Sequence, residues 1–399
     1  IERVDANFTI DSFISRKTIF KIESDDPSFD QYKSGIVDIT VNNKGYDYRG
    51  IDVFVDGKLA DRIERNASEN YNYKIEPSDY AIGTHRVEVF ITGANKKSEP
   101  IEFMVSYPLY VVWTIDWEGY DISDSNMSAM SKISSKYKIP MVQLVTPRVF
   151  EANDVSEIRK DALKKYVFDR YALGDEIGMH LHMHCDLFKA CGLDYKTEPK
   201  WDSRYNCHDV LTSAYSPEEF GELLDCSLNF FEEYNFPKPV TYRAGGWFID
   251  LKNLKVLPKY GFKIDTSGRD KYNWGNAVGF WDLAPSQPPY MISNSNQNKA
   301  SDNDNFGIIE VPNNGRDTTN NPPEVMIGKF NEIYSDKMMP LSKMNVVNFM
   351  SHPHWFTTYD NATMNKVMDY VINYSAEAEK GPVIFTTLDR IYGLRNPEP

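Results

Sequence analysis

Three histidines alternate in His180-Leu181-His182-Met183-His184, directly after the apolar run Glu176-Ile177-Gly178-Met179. The 399-residue chain has only 7 histidines, so three within five positions exceeds what composition would scatter there. In an extended strand, period two puts His180, His182 and His184 on one face. If a turn begins after His180 instead, His180 and His184 stand four apart and can converge on one ion. Either arrangement concentrates imidazole, the commonest protein ligand for divalent transition metals. A lone histidine at a strand end is ordinarily a solvated polar residue; this cluster reads as a metal site.

Other chemistry-bearing residues close further apolar runs. Leu109 to Ile115 leads into Asp116-Trp117-Glu118, and Val240-Thr241-Tyr242 into Arg243-Ala244-Gly245-Gly246-Trp247. Phe262-Lys263-Ile264 leads into Asp265-Thr266-Ser267, and Val346 to Met350 into Ser351-His352-Pro353-His354-Trp355. Any one such ending would be an ordinary solvated rim; together they supply carboxylates, imidazoles and a guanidinium. Two imidazoles and a carboxylate make a facial metal site with positions left for water and substrate. A second carboxylate can then take a proton from water acidified by the ion, and a histidine across the rim can protonate a leaving group. This is equipment for metal-assisted hydrolysis of an acyl or amide bond.

Periodicity shows which elements must position these groups. Residues 1–107 alternate polar and apolar residues in short runs (35–41, 51–55, 85–91). Turn signals such as Asn42-Asn43-Lys44-Gly45 and Asp56-Gly57 separate them. This predicts an all-β sandwich of immunoglobulin-like type, with a binding, spacer or packing role. Within 108–399, eight apolar runs (109–115, 141–145, 176–180, 240–243, 262–265, 307–311, 346–350, 383–387) alternate with helical stretches such as 125–136 and 217–233. The second helix opens Ser216-Pro217-Glu218-Glu219, with an N-cap, a proline at N1 and acidic first-turn residues. A βα series of seven or eight strands predicts a parallel α/β barrel, whose functional residues collect at strand C-terminal ends. The Asn-, Ser- and Asp-rich segment 293–305 is expected to be a mobile loop.

Charge and cysteine usage narrow the partners. Lys and Arg total 44 against 58 Asp and Glu, a net charge of −14 with no long basic run. Nucleic acid and anionic membrane surfaces are therefore not expected partners. No stretch reaches the ~20 apolar residues of a membrane span. The 25 Tyr and 7 Trp suit large cores and, equally, a carbohydrate-facing groove. Cys185, Cys191, Cys207 and Cys226 lie within 42 residues and include no Cys-x-x-Cys pair, which favours disulfides over a cysteine zinc site. Three pairings are open; Cys191 with Cys207 is expected first, since both sit in a loop containing Gly, Asp and Pro. Disulfides predict a secreted, periplasmic or cell-surface protein, a cytoplasmic one with reduced thiols being the alternative. The chain begins at Ile1 rather than Met, which leaves room for a processed segment upstream.

The five strand endings resemble, in order and across residues 108 to about 390, the motifs of the polysaccharide deacetylase family (carbohydrate esterase family 4, the NodB homology domain). The resemblance implies a distorted (β/α) barrel that removes N- or O-linked acetyl groups from a polysaccharide or cell-surface glycan. It implies Asp116 as catalytic base, Glu118, His180 and His184 as metal ligands, and His352 as catalytic acid. Arg243 would support the base and Asp265 would orient Arg243. Trp247 would line the groove, with Trp117 and Trp355 as further substrate-binding candidates. The ion implied is zinc, with cobalt, nickel or iron also compatible with two histidines and a carboxylate. Three positions depart from the family pattern. Asp-Trp-Glu stands where Asp-Asp is common, Leu181 replaces a Ser or Thr, and His182 is an extra imidazole able to replace His180 or His184. His354 likewise competes with His352. A catalytically altered glycan-binding or adhesion protein is the second reading. A glycoside hydrolase using Asp116 and Glu118 would leave the histidines without a task. The resemblance names neither the glycan nor the oligomeric state.

Overall fold

The computed structural model describes residues 9–44, 47–94, 96–202, 208–334 and 338–395. Eight strands come first: β1 (Thr9–Ile14), β2 (Thr18–Phe20), β3 (Gly35–Asn42), β4 (Gly50–Val55), β5 (Lys58–Glu64), β6 (Asn70–Ile75), β7 (Gly83–Ile91) and β8 (Ile101–Ser106). They form two sheets, β1-β3-β6 and β2-β8-β7-β4-β5. Val37, Ile39 and Val41 of one share a core with Val53, Val89 and Phe103 of the other. Period-two alternation buries one face of each strand and leaves the other in water. Asp56 and Gly57 both take positive φ (49° and 76°) in the β4–β5 turn, as an Asp-Gly hairpin requires. β5, on the far side of that turn, has no buried alternation of its own because it sits at a sheet edge and is exposed along nearly its whole length.

The second part is a curled, mostly parallel sheet with helices outside it. Its strands are β9 (Leu109–Asp116), β10 (Met141–Val145), β11 (Glu176–Leu181), β12 (Thr241–Ala244) and β13 (Ile264–Asp265). After a small hairpin of β14 (Asn273–Trp274) and β15 (Ala277–Val278) come β16 (Tyr290–Ser293), β17 (Asn305–Glu310), β18 (Asn345–Ser351) and β19 (Val383–Phe385). The order is β16-β17-β13-β12-β11-β10-β9-β18, with β19 also on β9; only the β16–β17 pair is antiparallel. Eight strands are thus parallel, matching the expected number, but no strand ladder among the described residues joins β17 to β18. The chain leaving β17 spans that seam. Gly315 N–H donates to the Asn348 carbonyl (2.9 Å), Met350 N–H to Arg316 (3.0 Å) and Thr318 N–H to Met350 (3.1 Å).

Even-numbered residues of β9 face inward, where Tyr110 and Val112 meet Val142, Leu144, Ile264 and Ile309. Odd-numbered ones face the helices, where Trp113 and Ile115 join Met130 and Ile133 of the helix Asp124–Tyr137. The N-terminal part also enters this interior. Phe20, Phe29 and Tyr32 belong to the same cluster as Tyr110, Val112 and Leu388, and the Phe29 and Tyr110 rings lie 5.8 Å apart. The stretch after β2 therefore plugs the N-terminal end of the curled sheet, which a sequence boundary at residue 107 does not convey.

Two local expectations change. Segment 293–305, expected to be a mobile loop, is tied into the β16–β17 connection: Ser293 N–H donates to Lys299 (3.0 Å), and the buried Gln297 amide donates to the Ile249 carbonyl (3.1 Å). Cys191 pairs with Cys226, not with Cys207, which lies outside the described residues. Cys191 ends a short helix beside the helix Pro217–Glu233, and the two Cα atoms are 5.8 Å apart, within the reach of a disulfide. Proximity in a loop sequence does not encode that helix–helix contact. Cys185 is also disulfide-bonded.

Phe29→Ala is expected to cost about 3–5 kcal/mol, the range for emptying a buried phenylalanine site. Guanidinium unfolding followed by fluorescence and circular dichroism should show the loss in the α/β part as well as in the sandwich.

Candidate metal and hydrolytic site

Alternation along β9 and the residues after it decides which groups enter the barrel mouth. Asp116 and Glu118 point in, and Trp117 points out. Trp117 is only 1 % exposed; its Nε1 donates to Gln143 Oε1 (3.0 Å), and its ring lies among Phe150 and Tyr166. It is core and cannot line a groove, which corrects its assignment as a substrate-binding residue. After Glu118 the chain turns at Gly119 (φ +88°), where an added Cβ would sit 2.7 Å from Arg148 Cδ. Arg148 donates to the Gly119 carbonyl at 2.6 Å and holds that turn.

Glu118 faces three imidazoles. Its Oε2 lies 2.6 Å from His182 Nε2, and its Oε1 lies 3.5 Å from His180 Nε2 and 3.4 Å from His352 Nε2. Among the described residues, Glu118, His180 and His182 are the three buried groups whose ligand atoms all fall within 4.8 Å of one another. His184, the expected partner of His180, stands apart from them. His184 N–H bonds back to the His182 carbonyl (2.8 Å), closing a three-residue turn that ends the strand's alternation. Its Nε2 then donates to the backbone carbonyl of Glu118 at 3.2 Å, so it buttresses that residue from behind. Burial, followed by the neighbouring charges of His182, His208 and Arg148, pushes the His184 imidazole down to about 3 and keeps it neutral.

Second partners fix the two clustered imidazoles. His180 Nδ1 donates to the Arg243 carbonyl (3.0 Å), and His182 Nδ1 donates to Asp209 Oδ1 (3.1 Å). Each ring therefore turns Nε2 toward Glu118, the anchoring that metal-ligating histidines show. His180 Nε2 is buried and has no hydrogen-bond partner, an orphan that a cation would satisfy. Burial opposes charge on His182, but the Glu118 charge and the Asp209 hydrogen bond outweigh it and push the imidazole up to about 10. Burial likewise raises the Glu118 carboxyl, yet His182, His180 and His352 hold it well below the usual carboxylate range. A pocket with this proton affinity has the donor set for a divalent ion. Gly245 makes room for it, since a Cβ there would lie 2.8 Å from His182 Cγ.

Asp116 is held from below. Arg243, fully buried, donates from Nη1 to Asp116 Oδ1 (2.6 Å) and Thr114 Oγ1 (2.8 Å). It also donates from Nε to the Thr266 carbonyl (2.9 Å) and from Nη2 to Thr266 Oγ1 (3.0 Å). Thr266 thus orients Arg243, where Asp265 had been expected to. The register explains this: Asp265 pairs with Tyr242 on β12 and with Glu310 on β17, so it shares their outer face, whereas Arg243 and Thr266 share the inner one. Asp265 accepts instead from Ser267 N–H (3.1 Å) and Oγ (2.9 Å), and burial raises its carboxyl and that of Glu310 beside it.

His352 has its own support. Asp360 can only accept, so the Thr319 hydroxyl donates to it (3.1 Å) and in turn accepts from His352 Nδ1 (3.3 Å). Asp360 Oδ2 also accepts from the Thr357 hydroxyl (2.7 Å) at the start of the helix Thr358–Val371. His354 lies against Trp355 (ring centroids 3.9 Å apart), and burial pushes it down to about 4. A cavity of about 800 Å³ opens over these groups, with Trp247 and Trp355 in its lining as expected, and Trp274 and Tyr359 besides. Sequence reasoning missed Asp209, Thr266, Thr319 and Asp360. Only Asp360 left a local trace, as the last residue of the cap Thr357-Thr358-Tyr359-Asp360.

No protein-family model and no curated protein matches this sequence. Among solved structures, the chain is similar to one from Mycobacterium smegmatis assigned as a polysaccharide deacetylase. Identity is 13 %, covering 73 % of this chain and 91 % of that one, with a TM-score of 0.46. It is similar also to a family 4 carbohydrate esterase from Streptomyces lividans solved with acetate (8 %, 68 % and 96 %, TM-score 0.35). A family 4 pseudoenzyme from Bacillus anthracis matches at 9 %, over 71 % of this chain and 65 % of that one, with a TM-score of 0.38. At these identities and scores the activities of those proteins do not transfer to this chain.

Zinc content after equilibration and gel filtration checks the ligand geometry. Glu118→Ala, His180→Ala and His182→Ala are expected to lose the ion, and His184→Ala to keep it. Asp209→Asn should weaken zinc binding by about 10- to 100-fold, the usual effect of removing a ligand's anchoring partner.

Proposed function

We propose that this chain is a metal-dependent deacetylase of the carbohydrate esterase family 4 type, acting on an acetylated glycan. The observation that carries this reading is the convergence, in one cavity, of an anchored Glu-His-His set, an arginine-held carboxylate and a carboxylate-linked histidine. Glu118, His180 and His182 would hold the ion, zinc being the first choice for two imidazoles and a carboxylate. When bound it supplies Lewis-acid polarisation of an acyl carbonyl and lowers the pKa of water.

The remaining steps belong to the chain itself. Asp116 receives the guanidinium on Oδ1, and its Oδ2 has no hydrogen bond among the described residues, so that oxygen is the one to take a proton from the attacking water. Arg243 fixes the carboxylate in direction. His352, with Nδ1 engaged by the Thr319–Asp360 pair, carries a proton on Nε2 when charged and delivers it to the departing amine or alkoxide. Trp247 forms part of the wall along which the glycan lies. Residues 1–107 act as an accessory domain of immunoglobulin-like type on a catalytic domain of 108–399. The Cys191–Cys226 disulfide supports an oxidising location, secreted, periplasmic or at the cell surface. Among the described residues no helix is long and apolar enough to cross a membrane.

The displaced acidic ligand and the use of His182 for His184 favour, as the second reading, a glycan-binding protein that has lost catalysis. One assay separates them: acetate release from acetylated oligosaccharides, with and without chelator. Chelation should abolish release and zinc restore it, and Asp116→Asn or His352→Ala should each lower kcat by about 10²- to 10⁴-fold. Binding without acetate release would leave the second reading, and shortened oligomers without acetate would indicate a glycosidase.

A further inference from the structure

We propose that Asp265 and Glu310 hold a single proton between them, and that this proton latches the segment 266–268, on which Arg243 is held, until rising pH removes it. The inference needs neither the metal nor the deacetylase reading. The two carboxyl groups come from paired positions of β13 and β17, are closed off from solvent, and lie within hydrogen-bonding reach of each other. A hydrogen bond between two carboxyls exists only while one of them carries a proton. Asp265 is occupied as an acceptor: Ser267 Oγ donates to its Oδ1 (2.9 Å) and Ser267 N–H to its Oδ2 (3.1 Å). Glu310 Oε1 accepts from Gly268 N–H at 2.8 Å, while its buried Oε2 meets no donor, which leaves that oxygen for the proton. Two anions side by side in this interior would repel each other with only neutral donors to offset them.

The charge of Arg243 reaches both carboxyls, but its N–H groups point to Asp116, Thr114 and Thr266 on the inner face. Arg269 and Asp270, next along the segment, lie 3.6 Å from each other. The ionisable groups facing the pair from neighbouring strands are Tyr242 of β12 and Tyr290 of β16. Burial, and then the charge of the pair, keeps both as neutral phenols, and Tyr290 directs its proton to the Gln297 carbonyl (2.6 Å). The segment above the pair is a junction. Ser267 Oγ also accepts from Ala244 N–H (2.9 Å), and the Gly268 carbonyl accepts from Asn313 N–H (2.7 Å). Residues 266–268 thereby join the end of β12 to the chain leaving β17, and Thr266 carries the two acceptors that hold Arg243 and, through it, Asp116. The packing is close: a Cβ on Gly268 would lie 2.6 Å from Glu310 Oε1. Loss of the proton drives the two carboxylates apart, and the bonds that yield are those of this segment. The site above thus has an upper pH limit set outside its cavity.

Glu310→Gln keeps an acceptor for Gly268 N–H and gives Asp265 a permanent donor, so it imitates the protonated pair with one ionisable group fewer. Infrared difference spectra of the full chain at neutral pH should show the carbonyl absorption of a protonated carboxyl in the wild type that the variant lacks; other buried carboxyls, such as Glu176, cancel in the difference. Hydrogen exchange at the amides of Ala244, Gly268 and Asn313 reads the latch itself. Once the segment opens, Glu310 meets water and ionises near the ordinary value of ~4.3, whereas the closed form keeps its proton. Closure is therefore fully favoured below that value and weakens as pH rises toward the higher value of the pair. From acid to neutral pH, and corrected for intrinsic exchange, wild-type protection should fall relative to Glu310→Gln by about tenfold per pH unit. Asp265→Asn donates to Glu310 from the other side and should level the pH dependence in the same way, a second variant should Glu310→Gln fail to fold. Identical infrared spectra, or wild type and variant running parallel across pH, would overturn the shared proton. A pH-dependent difference spread evenly over the amides of the whole chain would overturn the latch.

Discussion

A carboxylate removed from water must be compensated, and the barrel mouth is arranged around that requirement at Glu118. Three imidazole nitrogens lie within 3.5 Å of its two oxygens, and most of the surrounding detail serves to keep them there. Asp209 and the Arg243 carbonyl turn two of the rings, and His184 and Arg148 hold the backbone of the Glu118-Gly119 turn. Gly119 and Gly245 leave the space that any side chain would take from Arg148 and His182. The donor atoms gathered here are those a divalent cation would use.

Beneath it, one guanidinium joins strands that are distant in sequence. Arg243 on β12 reaches Thr114 and Asp116 on β9 and Thr266 just past β13, and the Asn348 amide of β18 meets the Thr266 hydroxyl at 2.9 Å. The strand ladder does not close between β17 and β18, so this buried polar network and the segment 315–318 do part of the work of closure. Breaking such a buried pair leaves an uncompensated charge, commonly a loss of about 3–5 kcal/mol. Positioning of Asp116 and integrity of the curled sheet therefore draw on the same hydrogen bonds. At the opposite end, Phe29 and Tyr32 close the floor, so the all-β part supports the interior on which the site is built.

Much of this was legible from the chain alone, for reasons that can be named. Buried parallel strands read as apolar runs, and a barrel collects chemistry at their ends, which is why Asp116, Glu118, His180, Arg243 and His352 could be picked out. Alternation along β9 already separated Trp117 from its two acidic neighbours, although the residue type suggested a groove. The resemblance pointed to His184 over His182, a choice that depends on where the strand stops alternating. That point is set by a single backbone hydrogen bond from His184 to His182.

The sequence by itself determined the eight parallel strands, the sign and rarity of the charged groups, and the residue types available for hydrolysis. These follow from periodicity and from the chemistry of side chains, both local properties. Only the tertiary structure decided which of those groups meet. The β12–β13–β17 register sent Asp265 to the outer face with Glu310 and handed Arg243 to Thr266. The packing of two helices paired Cys191 with Cys226, and loop closure brought Asp209 to His182 and Asp360, through Thr319, to His352. Register and loop closure are relations between distant segments, and no window of the chain contains them.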